Sequence, residues 1–391
     1  MAEDPHLTTI ATSEAADDTT HEPLEVATLF ASKLASRERH VCFLLGAGAS
    51  KSAGLPDMVD LKRTLLEREA NAGGDDLARL LADRTVEQGL TWLRKAGAVL
   101  ESGEDTLGDY TKAIVEDLDQ RLSSEIMLVI SESTYSLSAF EDLARWLRVS
   151  AYTRPVELFT LNYDLLLEEA LENVGAPYFD GFIGSYSGKF RADLVDSGGS
   201  SQVDSMPTFF HRLWKLHGSI SWTRDDENAI VRLGRIASSG EIAAIHPSES
   251  KYDDSRRAPF VILHDRLRRS LLEPETMLVV AGYSFGDQHV NELIYDAVKA
   301  RPRSEFVFTF FGDIPDEVAA LAVNWKNVTA LGRSEAITGG VRGGWEADPD
   351  KRPGSDVWDS TKKFQLGDFG RLSSFLARSA SLSAPTDQTA G

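Results

Sequence analysis

Four short clusters in this 391-residue chain have residue types and spacings suited to nucleotide chemistry. The first is Gly46-Ala47-Gly48-x-Ser50, followed by Gly54-Leu55-Pro56-Asp57. An apolar run over residues 41–45 leads straight into it. Glycine has no Cβ, so a pyrophosphate can approach the backbone N–H groups closely, and a helix starting there adds a positive dipole end. The second cluster is Thr160-Leu161-Asn162-Tyr163-Asp164, the third His217-Gly218, and the fourth Gly282-Tyr283-Ser284. They bring an amide, a carboxylate, hydroxyls and an imidazole, whose ordinary pKa of about 6.5 suits proton transfer near neutrality. Each cluster alone has a structural reading. Asn162 and Asp164 suit helix caps, His217 a core histidine bonded to a carbonyl, Gly282 and Gly286 tight turns. All four in this order favour a single pocket.

The elements that must position them alternate in type. Residues 24–34 carry apolar residues at helical spacing and lead to a strand over 41–45; a helix is expected after the glycine loop, over 57–70. From 75 to 149 the apolar residues recur every three or four positions, which predicts a helical insertion over about 60–150. Apolar runs at 156–161, 213–216, 277–281 and 306–311 read as buried strands. The polar clusters sit just past the ends of the strands at 41–45, 156–161, 213–216 and 277–281, where an open doubly wound sheet binds ligands. The expected class is α/β, a Rossmann-like doubly wound parallel sheet. Residues 1–22 read as disordered, 23–330 as one catalytic domain, 331–376 as a loop or arm, and 377–391 as a flexible tail. Residues 180–210 read as a long loop, and the Gly-rich segment 335–360 as a loop or partner-facing arm.

Composition narrows the classes. The net charge of −20 argues against direct duplex binding, which needs clustered Lys and Arg. The short basic stretches at Arg256-Arg257 and 266–269 read as solvated faces. No apolar run reaches the roughly 20 residues that span a bilayer, and the acidic N-terminus lacks an apolar signal core. A cytoplasmic protein without membrane association is expected. The single cysteine, Cys42, excludes an intramolecular disulfide and a multi-cysteine zinc site, so no metal is expected.

The pattern Gly46-Ala47-Gly48-x-Ser50-x-x-x-Gly54-Leu55-Pro56-Asp57 resembles the NAD-binding loop of the sirtuin family, Gly-Ala-Gly-x-Ser-x-x-x-Gly-Ile-Pro-Asp-Phe-Arg. The family's Thr-Gln-Asn-Ile-Asp is similar to residues 160–164 at three of five positions. Its catalytic His-Gly matches His217-Gly218, and its Gly-Thr-Ser looks like Gly282-Tyr283-Ser284. The resemblance covers roughly residues 40–300. It implies NAD as substrate, with Gly46, Ala47, Gly48, Ser50, Pro56, Asp57, Thr160, Gly282 and Ser284 around the dinucleotide. Asn162 would lie beside the nicotinamide ribose, Asp57 and Asp164 would orient the nicotinamide amide, and His217 would be the general base.

The departures matter as much. The four zinc cysteines of sirtuin deacylases are missing, Met58-Val59 stands where they have Phe-Arg, and Leu161 replaces Gln. A helical insertion stands in place of the zinc module. With Leu-Asn-Tyr-Asp at 161–164, Lys-Leu-His-Gly-Ser at 215–219 and Gly-Tyr-Ser-Phe-Gly-Asp at 282–287, the chain looks like the sirtuin-like effectors of bacterial anti-phage defence. Those hydrolyse NAD to nicotinamide and ADP-ribose and abort infection. Compact members pair with a HerA-type hexameric ATPase, so such a partner and a homo-oligomer are implied expectations. The helical insertion and residues 335–360 are the candidate contact segments. A sensor binding NAD or ADP-ribose without turnover, and a protein deacylase or ADP-ribosyltransferase, are the alternatives. A dehydrogenase is disfavoured, because the first loop lacks the third glycine at the usual spacing.

Overall fold

Apolar runs without polar alternation make the central strands, because both faces of a doubly wound sheet are covered by helices. The computed structural model describes residues 19–100, 106–196, 207, 209–227, 229–237 and 258–383. Expectations for residues 1–18, 197–206, 256–257 and 384–391 lie outside the described residues. The described part opens with a two-residue strand β1 (Thr20–His21) and helix α1 (Pro23–Leu34), capped by the Glu22 carboxylate on the Leu24 and Glu25 N–H groups. Strand β2 (His40–Leu45) runs into the short helix α2 (Ala47–Ser52). A helical block follows: α3 (Met58–Asn71), α4 (Asp76–Leu81), α5 (Val86–Val99), the small hairpin β3 (Thr106–Leu107) and β4 (Tyr110–Thr111), and α6 (Lys112–Glu132).

Helix α7 (Ser138–Val149) returns the chain to β5 (Glu157–Thr160) and α8 (Leu166–Val174). Then come β6 (Tyr178–Phe179), β7 (Phe182–Ile183), β8 (Ser187–Phe190), α9 (Ala192–Asp196), β9 (His211–Lys215), β10 (Trp222–Arg224) and β11 (Ile230–Leu233). The second half alternates strictly: α10 (Phe260–Leu272), β12 (Thr276–Ala281), α11 (Gln288–Ala300), β13 (Glu305–Thr309), α12 (Asp316–Asn324), β14 (Val328–Leu331). A hairpin, β15 (Glu335–Thr338) and β16 (Val341–Trp345), precedes the last helix, α13 (Phe369–Ser383).

The main sheet has the order β1-β16-β15-β14-β13-β12-β2-β5-β9-β6. From β14 to β6 every neighbouring pair is parallel. After β2 the chain steps outward through β5 and β9, then crosses back to β12 and steps outward the other way. The winding therefore reverses between β2 and β12, and a crevice opens there past the strand ends. Alternate residues of β2 serve opposite layers. Val41, Phe43 and Leu45 pack with α1, α7, α8 and α13; Cys42 and Leu44 pack with α10, α11 and α12. This is the expected Rossmann-like doubly wound class. Among the described residues no helix is long and apolar enough to cross a membrane.

Several boundaries differ from the sequence reading. The helical insertion is α3 to α6 with its own core; α7 instead lies on the sheet, packed against α8 and α13. Its helical periodicity continues that of the insertion, so sequence did not separate the two. Residues 180–196 are not a loop. Strands β7 and β8 join β10 and β11 in an antiparallel sheet, with the Phe182 ring edge-on to Phe190 and tilted against Trp222. Residues 335–345 are not an arm but a hairpin that extends the main sheet. Gly339 and Gly340, both at positive φ, form its two-residue turn, as twisted hairpins require. Residues 20 and 21, expected to be disordered, pair with Gly344 and Trp345. Residues 377–383, expected to be tail, continue α13, which is anchored by Leu372, Phe375 and Leu376 in the core.

At the N-terminal ends of the strands lies a buried polar network. Glu157, at the head of β5 and 1% exposed, accepts hydrogen bonds from five donors. They are His40 Nε2 (2.8 Å), Trp214 Nε1 (2.6 Å), Arg266 Nε (2.8 Å), the second Arg266 nitrogen (2.6 Å) and Ser270 Oγ (2.9 Å). Burial alone would raise the Glu157 carboxyl; the Arg266 guanidinium and His40 hold it well below the usual carboxylate range instead. Burial opposes protonation of His40, yet Cys42 and Glu157 beside it raise its imidazole to about 10.

Another histidine gives acid sensitivity. His211 Nε2 donates to the Leu147 carbonyl (3.2 Å), its Nδ1 is buried without a partner, and burial lowers its pKa to about 4. The unfolded chain binds a proton at this residue near pH 6.5 and the folded chain only near pH 4. Between these values the unfolded state holds more protons, so stability falls as pH falls. The expected loss from His211 is about 3 kcal/mol by pH 4. Urea titrations at pH 7 and pH 4.5 should show a smaller pH-dependent loss in His211→Gln than in the native chain. An equal loss in both would reject the assignment.

Candidate active site

The crevice between β2 and β12 is built from two loops that interlock. Gly46 N–H donates to the Ala281 carbonyl (3.1 Å) and Gly48 N–H to the Gly282 carbonyl (2.8 Å). A Cβ on Gly46 would lie 2.6 Å from the Gly282 oxygen, and one on Gly48 2.8 Å from the Gly282 Cα. Gly282 has φ +64°, and its Cβ would lie 2.2 Å from the Ala49 nitrogen. The glycines are thus needed first for loop-to-loop packing. This corrects the expectation for two of the donors: the N–H groups of Gly46 and Gly48 are engaged within the protein, not turned toward a ligand. Gly282→Ala should push the loops apart, add left-handed backbone strain of about 1–2 kcal/mol, and lower the urea midpoint accordingly. An unchanged midpoint would show that the loops can relax freely.

Behind this loop the side chains of two strand ends meet. Asn162 Nδ2 donates to the Gly46 carbonyl (2.9 Å) and to Ser50 Oγ (2.7 Å), and Ser50 Oγ donates to Asp164 Oδ2 (2.6 Å). Asp164 Oδ1 accepts the Leu166 N–H (3.1 Å), so it also shapes the entry to α8. Thr160 Oγ1 accepts the Asn162 N–H (3.1 Å) and turns the chain at the end of β5. Lys215 Nζ donates to the Asp164 carbonyl and pairs with Glu168 (2.9 Å). Burial raises the Glu168 carboxyl despite that pair. Asn162, Ser50 and Asp164 therefore form one chain of hydrogen bonds running under the glycine loop.

His217 follows β9 and is 2% exposed. Its Nε2 lies 3.1 Å from Asp287 Oδ2, and its Nδ1 is buried without a partner. Burial would raise the Asp287 carboxyl, but the His217 hydrogen bond and the Val290 N–H hold it below its ordinary value. Asp287 closes the loop after β12. Its Oδ1 caps α11 on the N–H groups of His289 (2.9 Å) and Val290 (3.2 Å). Phe285 in that loop has φ +58°, a conformation that costs of order 1–3 kcal/mol. Asn291 Nδ2 holds it by donating to the Phe285 carbonyl (2.7 Å), while Tyr283 Oη accepts the Asp287 N–H (3.2 Å). His264 of α10 stacks on the His217 ring, 6.2 Å between centroids at 20°. Burial, with His217 beside it, lowers His264 to about 4.

The other expected positions lie at the rim. Asp57 caps α3 through the Val59 and Asp60 N–H groups and pairs with Lys51 (2.5 Å). Pro56 is half-buried beside it, Ala47 opens α2, and Ser284 is exposed on the loop after β12. The insertion packs onto two of these loops: Tyr163, next to Asn162, and Ile220, three residues after His217, belong to the insertion's own core. A cavity of about 530 Å³ lies between the second turn of the glycine loop, α3 and α6, lined by Lys51, Pro56, Arg63, Arg68 and Glu132. The group His40, Cys42 and Glu157, which could hold a metal by proximity, sits at the opposite end of the strands. There Arg266 already engages both Glu157 oxygens, a donor set that suits a salt bridge better than a cation. Sequence reasoning quoted Asp287 within a motif but assigned it no role, and it passed over His264 on α10. Only the fold brings either to His217.

The SIR2-like domain family model matches residues 156–331. That stretch runs from β5 to β14 and carries Asn162, Asp164, His217, Gly282, Ser284 and Asp287, while the glycine loop precedes it. No curated protein matches the chain.

Proposed function

We propose, with the SIR2-like domain of residues 156–331 as the premise, that this chain hydrolyses NAD to nicotinamide and ADP-ribose. The observation that carries the reading is the His217 ring. One nitrogen is tied to Asp287 in the loop after β12, and the other is buried without a partner. Such a nitrogen suits a proton from a ribose hydroxyl or from water. The Asn162, Ser50 and Asp164 chain lies at the neighbouring strand end, where it would orient the ribose and the nicotinamide amide.

The bond that breaks joins C1′ of the ribose to the nicotinamide nitrogen. Its electron pair leaves with nicotinamide, which is cationic before cleavage and needs no strong acid. A water oxygen forms the new bond to C1′ and loses its proton to the His217 imidazole. The protein holds the dinucleotide in place so that the attack is effectively unimolecular. With no zinc cysteines and with helices over the strand ends, water is a better acceptor here than an acyl-lysine peptide. By the same resemblance, NAD depletion would serve as an abortive response to phage, with a HerA-type ATPase as partner.

The test incubates the purified chain with NAD and measures nicotinamide and ADP-ribose by chromatography. Equal yields of the two, unaffected by added acetyl-lysine peptide, are expected. Release that requires the peptide would favour deacylation. Tight NAD binding with no product, alone or with a co-expressed ATPase, would replace the hydrolase reading by a sensor.

A further inference from the structure

We infer that Asp287 is the positioning residue of His217: it fixes the tautomer with hydrogen on Nε2 and so makes Nδ1 the nitrogen that takes the proton. The inference rests on the hydrolase reading for its reaction, but its geometry does not.

A carboxylate only accepts hydrogen bonds. Asp287 Oδ2 lies 3.1 Å from His217 Nε2, so that nitrogen carries the hydrogen, and in the neutral ring Nδ1 is left as a bare lone pair. Nδ1 is buried without a partner, so no described donor competes for its lone pair. The ring is fixed in a second direction by the face of His264. His264 Nδ1 can only donate to the Phe260 carbonyl (3.0 Å), which holds its own orientation.

Asp287 is itself held from behind. Its Oδ1 is occupied by the first turn of α11, its N–H by the Tyr283 hydroxyl, and the strained Phe285 before it by Asn291. The loop is thus bent out of ordinary backbone geometry in the way that delivers Oδ2 to the ring. An N-cap alone needs none of this, since Ser or Thr caps equally well.

That last point supplies the test. Asp287→Ser keeps a capping hydroxyl but is too short to reach His217. Asp287→Asn keeps the capping oxygen at the Oδ1 position but puts its amide N–H groups where Oδ2 stood, so Nε2 meets a donor in place of an acceptor. The full chain, with ¹⁵N-labelled histidine and the His217 signals assigned by their loss in His217→Gln, is read by long-range ¹H–¹⁵N correlation. The native chain should show Nε2 protonated and Nδ1 bare, Asp287→Ser a mixture of tautomers, and Asp287→Asn the reverse, with the hydrogen on Nδ1. With NAD, Asp287→Ser should lose about 10- to 100-fold in kcat with little change in KM, as when a histidine loses the partner that orients it. Asp287→Asn, which fixes the wrong tautomer, should lose at least as much. A native ring protonated on Nδ1, or an unchanged tautomer in Asp287→Ser, overturns the inference. The expected tautomers in a chain that never cleaves NAD would support the Asp287 assignment and overturn the hydrolase reading alone.

Discussion

His217→Ala is expected to lower nicotinamide release by about 10²- to 10⁴-fold, the usual worth of a general base. On the hydrolase reading the loss should fall on kcat, because the imidazole would act on the proton that moves in the transition state, not on ground-state binding. The ring is 2% exposed, so its removal also leaves a cavity and strips Asp287 of its partner. A urea titration must therefore accompany the rate, and His217→Gln, which can still donate to Asp287, separates lost chemistry from lost structure. Both variants should be inactive, with Gln the more stable. Asn162→Ala should also abolish turnover, but by another route: it removes the donor that ties the Gly46 carbonyl to Ser50. Native-like turnover in either His217 variant would remove this crevice as the site of chemistry.

The largest effect on stability is expected at Glu157, far from that crevice. Glu157→Ala leaves the Arg266 guanidinium and the raised His40 imidazole buried with no counter-charge, and Trp214 Nε1 without its acceptor. Breaking a buried ion pair by deleting one partner typically costs about 3–5 kcal/mol. That is a large share of the roughly 5–15 kcal/mol by which domains are stable. The variant should melt well below the native chain or fail to accumulate as folded protein. Replacing the whole group by apolar residues of similar volume should cost less than this single deletion, because no charge is then stranded. A Glu157→Ala chain as stable as the native one would mean that water reaches the network. The network also predicts an alkaline limit. His40 contributes stability that is complete below its unfolded value near 6.5 and is lost as pH rises toward about 10.

Which parts of this molecule could be read from sequence follows from their physics. The central strands are unbroken apolar runs, and the crevice clusters sit directly behind them, so class and clusters were both legible. The edge of the sheet was not: β15 and β16 are short and glycine-bearing, and a Gly-Gly turn reads the same in a hairpin as in a loop. Helix α7 was merged with the insertion because helical periodicity says nothing about what a helix packs on. The Asp287–His217 pair spans 70 residues, and only the return crossover from β9 to β12 brings it together. The glycines were recognised by the right property and assigned an incomplete purpose. Their missing Cβ atoms admit the neighbouring loop before they admit any ligand.

Helix α13 packs against α7 and reaches α2, the helix that opens from the glycine loop. The wall behind the glycine loop is therefore made of residues 369–383, the last described part of the chain. During synthesis, strands β2, β5, β9 and β12 leave the ribosome long before this wall exists. An emerging chain holds every cluster of the crevice while Phe30, Phe140 and their neighbours still lack Phe375 and Phe369. The order of translation thus delays a finished crevice until late in the chain. On the proposed hydrolase reading, products of synthesis or proteolysis that stop short of residue 369 would carry every cluster of the crevice and lack the helix behind it.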